Sequence, residues 1–429
     1  NYSTGRKDMQ RRRALRCADR AETVEPSKSN SQAKLEEPPA TVKYHQLERL
    51  IIVMWTLAAA TGAAAGDASS AVDAARAAAT TTTATPASTL RHDYFLLGSG
   101  SLRATDGLSD LSQQESTSLL ALDILADLSY REIRLLGEYV ITSDETELER
   151  LQLGWEPNEN LLLWLGRYHQ PSSYWNQRYH HGQYLQTAVT KPRIEEWEDT
   201  RGLLPQHMVG MLLESTWQLE QRGAVDVTLG LGIAPALGLD GLDPYSLLHH
   251  HDAPSTGAYN FRIDYRPMGG SNGELENSVG LLLSHNEIEL TAARRQLSPA
   301  NFSHIDQNIL GAYVDWRFGS WRTLGTIYYV EAKFDVTDGY EPDHFAAAYL
   351  EIERPLGARV TTFSRLETFS RTNESRYLSF FPERLDQRLM AGVRWDYARK
   401  QALKLELASV KSPNDKFWEM RLEWSVAVR

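Results

Sequence analysis

Two stretches of the sequence carry side chains whose types could do chemistry. The first, 169–206, holds His169, His180 and His181 among Arg178, Lys191, Arg193, Arg201 and the carboxylates Glu195, Glu196, Glu198 and Asp199. The second holds His249-His250-His251 near Asp240, Asp243 and Asp252. Neutral imidazole together with carboxylate binds zinc-class ions. Consecutive histidines in an extended chain face opposite ways, however, and neither cluster has a helical i, i+4 pair. Both read as solvated loop groups, and no metal or other cofactor is expected. Cys17 is the only cysteine and precedes an apolar run, so the chain beyond that run has no thiol for catalysis or zinc binding. No G-x-S-x-G elbow, P-loop, H-E-x-x-H or G-x-G-x-x-G is present. Ser215 and His207 would share one strand face, but roughly 26 Å apart at about 3.3 Å per residue, too far for proton transfer.

The elements that would position these groups follow from composition and periodicity. The 429 residues carry 45 Lys+Arg against 56 Asp+Glu, a formal charge of -11. That balance argues against a nucleic-acid partner, which needs a basic face to displace counterions. Mean hydropathy is -0.43, which excludes a bundle of membrane-spanning helices. Yet there are 11 Trp and 19 Tyr. A polar average with many aromatics suits a membrane β-barrel, with its wet lumen and aromatic rims. Lys43, His45 and Arg49 precede the uncharged run Leu50 to Gly66, which ends in Ala63-x-Ala65. This is the pattern of a secretory signal peptide, expected over 43–65 with cleavage near Ala65. Residues 1–42 remain unassigned, and 66–91, rich in Ala and Thr, read as a linker.

From 92 onward the period is two. Leu120, Leu122, Ile124, Ala126 and Leu128 oppose Asp123 and Asp127. Ile133, Leu135 and Tyr139 oppose Arg134 and Glu138, and Phe261, Ile263 and Tyr265 oppose Arg262 and Asp264. The same holds for 225–231, 314–318, 388–397, 403–407 and 418–428. Each segment is therefore a strand with one apolar and one charged face. Short turns near 129–130, 156–160, 221–223, 268–273, 319–320, 354–357 and 398–401 alternate with longer polar connections near 105–117, 142–147, 169–206, 234–256, 295–306, 334–343, 370–385 and 411–416. This accounting gives an all-β, transmembrane antiparallel barrel over 92–429 of about 16 strands, both ends on the short-turn side. Aromatics near strand ends (Tyr94, Tyr130, Trp155, Tyr168, Trp217, Tyr265, Trp321, Trp395, Trp418) are the expected interface girdles. Alternation by itself leaves open a soluble all-β protein with the apolar face inward.

Residues 92–429 resemble bacterial outer-membrane porins, and the strand count matches the general-diffusion type. The opening strand Tyr94-Phe-Leu-Leu-Gly-Ser-Gly-Ser-Leu-Arg103 is similar to first strands of such barrels. Gly166-Arg-Tyr-His-Gln-Pro171, Tyr174-Trp-Asn176 and His180-His-Gly182 resemble a motif of uncharacterised porin-like proteins. The chain departs from the pattern at its end, where Trp424 is the nearest aromatic to Arg429 and porins usually end in one. The resemblance implies short periplasmic turns, long external loops, a bacterial outer-membrane location among outer-membrane lipids, a homotrimer, passage of small hydrophilic solutes, and a loop folded into the barrel. Loop 169–206 is the candidate for that role, because structureless loops of this length are usually functional. The pore-lining or constriction residues expected are Arg134, Glu138, Arg178, His180, His181, Arg193, Glu195, Asp199, Arg262, Asp264, Asp315, Arg317, Arg394, Asp396 and Arg421. Opposed charges there would set a transverse field across the lumen. With Asp123, Asp127, Asp226, Arg388, Lys404, Glu406, Glu419 and Glu423 also facing inward, acidic groups slightly outnumber basic ones and a mild cation preference follows. The reading is a non-enzymatic porin. The alternatives are a closed or ligand-recognising barrel and a barrel lipid hydrolase.

Overall fold

A computed structural model describes residues 90–106, 117–142, 146–179, 182–198, 201–248, 255–268, 277–297, 302–336 and 339–428. The expected signal peptide, the linker up to residue 89, and residues 1–42 lie outside the described residues. The strands run β1 (Arg91–Asp106), β2 (Thr117–Tyr130), β3 (Ile133–Thr142), β4 (Thr146–Asn158), β5 (Leu161–His169), β6 (His207–Gln218) and β7 (Gly223–Ile233). Two short strands, β8 (Ala236–Leu237) and β9 (Leu242–Asp243), form a separate ribbon. The wall continues with β10 (Gly257–Pro267), β11 (Ser278–Glu289), β12 (Phe302–Phe318), β13 (Trp321–Val336) and β14 (Gly339–Pro355). It ends with β15 (Val360–Phe369), β16 (Gln387–Ala398), β17 (Gln401–Lys411) and β18 (Lys416–Val428). Apart from the β8–β9 ribbon, every strand pairs antiparallel with its neighbours along the chain, and β1 closes on β18 from Leu96↔Val428 to Asp106↔Trp418. The result is a closed antiparallel barrel of sixteen strands. Both ends of the wall lie at the short-turn rim, as the alternation of connections requires.

The structure decides which face is which. Leu135, Leu153 and Leu165 lie side by side across β3, β4 and β5 and are all exposed on the outer wall. Leu120, Met211, Leu231, Leu281, Leu310, Ile327 and Leu389 extend the same exposed surface around the barrel. The charged face, including Asp123, Glu138, Asp264, Asp315, Lys404, Glu406 and Glu423, is buried inside. A continuous apolar exterior of this size needs lipid to cover it, and a soluble sandwich would bury it instead. Exposed aromatics mark the lower rim: Tyr94, Tyr130, Trp155, Trp217, Tyr265, Phe318, Trp321, Trp395 and Trp424 all sit near short turns or the strand ends beside them. Their polar tips are anchored there, as when Tyr265 donates to Arg222 O at 2.8 Å and Trp424 Nε1 to Tyr397 Oη at 2.8 Å. Tyr139, Tyr259, Tyr329 and Tyr340 are exposed nearer the opposite rim. Tyr168, expected in a girdle, instead points inward and is buried, with its hydroxyl donating to Met211 O at 2.9 Å.

Three expected long connections are short, that at 411–416 spanning only 412–415, and one expected short turn, 268–273, is the longer connection 268–277. The link between β3 and β4 is 143–145, and that between β13 and β14 is 337–338. The reason is that period-two alternation continues through polar residues above the apolar belt. Glu331, Lys333 and Asp335 still alternate with Ala332, Phe334 and Val336, so β12, β13 and β14 reach 16 or 17 residues. This side of the wall stands taller than a lipid span of about 9–11 residues needs.

The exterior assignment has a direct test. Leu153→Arg places a charge in the middle of the leucine belt and should destabilise the barrel in lipid by about 2–4 kcal/mol. Denaturant unfolding in vesicles measures this. A change within experimental error would mean that this face does not meet lipid.

Candidate functional site: the lumenal segment and the charged wall

The connection between β5 and β6 runs into the barrel. Its roots are fixed by the pair His169↔His207 and by Gln170 N–H donating to Gln206 O at 2.7 Å. Its first turn is a short helix, α1 (Tyr174–Tyr179). The Tyr174 hydroxyl is 3.0 Å from Asp315 Oδ2 and 3.0 Å from Ser278 Oγ, and its ring stacks on Tyr313 with centroids 4.0 Å apart. Arg322 binds Asp315 through two hydrogen bonds of 2.8 Å and donates to Tyr179 Oη at 2.7 Å. The helix is thereby seated on β11, β12 and β13, three to five strands round the wall from the root strand β6.

From there the segment passes to β18 and β17 and returns along the wall toward β14. Charged groups on that wall bind its backbone and side chains in sequence. Lys404 donates to Gln183 O and is held by Glu423 at 2.8 Å. Arg394 donates to Tyr184 O at 2.6 Å and Gln186 O at 3.0 Å. Glu406 accepts from Val189 N, Thr190 N and Thr190 Oγ1 at 3.0, 3.1 and 2.7 Å. Arg365 donates to Thr190 O, and Arg388 to Lys191 O, each at 2.8 Å. Glu367 accepts from Arg193 N at 2.8 Å. Behind these contacts Arg365 also bridges Glu351 at 3.0 Å and Glu367 at 2.9 Å. Charges inside a low-dielectric wall are costly alone, so each is either paired with an opposite charge or, like Glu406, met by hydrogen bonds from the segment.

Several sequence-predicted residues meet here, though in contacts rather than in open solvent. Arg193 reaches Glu383 O at 2.9 Å and pairs with Glu196, and Arg178 lies 3.7 Å from Asp315. Glu195 accepts from Tyr328 Oη at 2.6 Å, from Tyr349 Oη at 3.2 Å and from Ser173. Other pairs line the remaining wall: Arg134 with Asp127 at 2.7 Å, Glu138 with Arg150, Arg262 with Asp264 at 2.8 Å and Arg394 with Asp396 at 2.8 Å. Arg421 pairs with Glu419 at 2.5 Å, and Arg317 N–H donates to Asn277 Oδ1 at 2.8 Å. His180, His181 and Asp199 lie outside the described residues, as do His249, His250 and His251. Five wall residues of this network, Arg322, Glu351, Glu353, Arg365 and Glu367, were not singled out from the sequence. Their signal is the same alternation: Glu351 and Glu353 oppose exposed Leu350 and Ile352, and Arg365 and Glu367 oppose exposed Leu366.

A second group of buried side chains gathers at the roots of the segment. His207 Nε2 is 2.8 Å from Glu149 Oε2, and His207 Nδ1 is 2.9 Å from Glu198 Oε2. His169 lies alongside, with its ring centroid 5.1 Å from that of His207 and 4.7 Å from that of Trp197. Sequence reasoning passed over this group because Glu149, His169, Glu198 and His207 come from three strands and the segment, and no local spacing joins them.

Two outcomes test the wall–segment network. Arg365→Ala leaves Glu351 and Glu367 facing each other without their shared cation, and should cost about 3–5 kcal/mol of stability, read from denaturant midpoints. Burial raises the Glu195 carboxyl from its ordinary 4.5 to about 7, against hydrogen bonds from Ser173, Tyr328 and Tyr349 that lower it. Between those two values the folded protein holds a proton that the unfolded chain releases, so stability falls as pH rises through that window. Glu195→Gln should flatten this slope between pH 5 and 7; an identical slope in both proteins would refute the assignment.

No family model matches the chain, and no curated protein matches it. Among solved structures, an anion-selective porin from Comamonas acidovorans superposes with a TM-score of 0.51 at 12% identity, covering 79% of this chain and 100% of that one. A loop-deletion form of the outer-membrane protein OmpT of Vibrio cholerae gives 0.51 at 9% identity, covering 79% and 99%. Salmonella typhi OmpF, solved in complex with daunomycin, gives 0.50 at 9% identity, covering 79% and 97%. At these identities the likeness is one of fold, and the fold is the sixteen-strand barrel of bacterial outer-membrane porins.

Proposed function

We propose that the chain is a bacterial outer-membrane channel for small hydrophilic solutes, with the segment between His169 and His207 as its constriction. The observation that carries this reading is a closed barrel with an apolar exterior, whose interior is crossed by its own segment, fastened to the opposite wall by opposed charges. Sixteen strands enclose a lumen too wide for wall side chains alone to fill, so a crossing segment sets the bore. The partly exposed pairs Arg134–Asp127, Arg266–Asp226 and Arg394–Asp396 supply charges of both signs that solutes would meet. Such a function needs no cofactor and no catalytic group. A homotrimer in outer-membrane lipid belongs to the same reading, on the resemblance to porins, and cross-linking in detergent tests it.

One observation favours a second reading. Most of the segment and the wall charges that bind it are buried, which suits a lumen closed at rest. Single-channel recording of the full-length chain in a planar bilayer separates the two. Steady conductance steps with a mild cation preference support the channel. Arg193→Ala and Glu195→Ala should then shift the reversal potential under a salt gradient. Silence from folded, inserted protein, with steps appearing only when residues 183–191 are deleted, would favour the closed barrel.

A further inference from the structure

The group at the roots of the segment has the composition and geometry of a metal site. Glu149 on β4, His169 on β5 and His207 on β6 each direct one ligand atom to a common place, all within 4.8 Å of one another, and all three side chains are buried. Two imidazoles and a carboxylate are a donor set for zinc and neighbouring first-row divalent ions, leaving further positions for water. We propose that Glu149, His169 and His207 bind a divalent transition-metal ion of the zinc class, which joins the two roots of the lumenal segment to the wall strand beside them.

Two features beyond the donor set support this. Glu198 Oε2 lies 2.9 Å from His207 Nδ1, and Glu198 Oε1 accepts from His207 N at 2.9 Å. A carboxylate on one ring nitrogen fixes the ring and its tautomer, and turns the other nitrogen toward the metal position. Glu198 belongs to the inserted segment, so the ligand set and the segment's return path are built together. The Trp197 ring stacks on His207 and covers His169, which restricts access of water from that side. The second feature is charge. Asp123, Glu138, Glu147, Glu149 and Glu198 gather here against the cations Arg150, Arg167 and Lys191, the last lying 3.7 Å over the Trp197 ring. A divalent ion would give Glu149 and Glu198, which both face His207, positive charge that a neutral imidazole does not supply, in surroundings where uncompensated charge is costly. The competing account is a protonated His207 held between Glu149 and Glu198 with no ion at all.

The test uses the full-length chain in detergent, stripped with a chelator and titrated with zinc by calorimetry, then with cobalt(II) by visible absorption. The expected result is one equivalent per folded chain and cobalt d–d bands of imidazole–carboxylate ligation. His169→Ala and Glu149→Gln should each weaken binding at least tenfold. Replacing His180, His181, His249, His250 and His251 with Ala should leave it unchanged, which separates this site from the loop histidines. Folding of each variant is checked by its heat-dependent electrophoretic mobility. No uptake by folded wild-type protein overturns the proposal, whatever the variants do. So does uptake that survives the His169→Ala, Glu149→Gln double substitution. Because the readout is metal binding, the outcome is independent of whether the barrel conducts.

Discussion

Every backbone N–H and C=O in a wall that faces lipid has to find its partner within the wall, since hydrocarbon offers none. The closure of β1 on β18 meets that demand, and the remaining organisation follows from it. A closed wall has an inside and an outside, and a strand can serve both only by alternating. Within the lipid belt apolar residues turn outward and the charged ones inward, so the interior holds buried charges beside an apolar cluster that includes Ile309, Tyr328, Phe334 and Phe345. In most proteins burial and apolarity coincide; here Arg365, Glu367, Lys404 and Glu406 are as fully buried on the inner face as Leu324, Val330 and Phe334.

An interior of this width cannot be filled by the wall alone. The segment between β5 and β6 crosses it, and the wall charges spend their hydrogen-bonding capacity on its backbone. This arrangement answers two problems at once. The irregular backbone of the segment obtains partners it cannot supply for itself, and the desolvated wall charges obtain the extra bonds that make burial tolerable. The cost of mispairing so many charges also favours one seating of the segment over others. The aromatic contacts of α1 with Tyr313 and of Glu195 with Tyr328 and Tyr349 fix the same seating from the other side.

The root cluster shows how the topology concentrates groups that the sequence scatters. His169 and His207 are 38 positions apart, yet they face each other because one ends β5 and the other begins β6. Glu149 joins them from β4, and Glu198 from the segment itself. Gly166 contributes to this close packing. Its φ is +132°, and a Cβ there would lie 2.0 Å from Leu151 O, so only glycine allows β4 and β5 to approach as they do just before His169.

Much of the fold was legible in the sequence. Strand existence, the even count, the short-turn rim except at 268–277, and the inward charges of β2, β3, β10 and β16 to β18 all follow from period two, because side-chain alternation is a local property of extended chain. The expected long connections at 142–147 and 334–343 failed for the complementary reason: above the lipid belt the outward face of a strand turns polar, as Glu331, Lys333 and Asp335 do, and outward polarity no longer distinguishes it from a loop. Which face meets lipid was undecidable from alternation, which is symmetric under exchange of inside and outside. The partners of Arg193, Glu195 and Arg365, and the meeting of Glu149, His169 and His207, were decided only by closure of the barrel and the path of the segment within it. Those contacts join residues tens to hundreds of positions apart, and their geometry exists only once the wall has curved far enough to bring its two sides together.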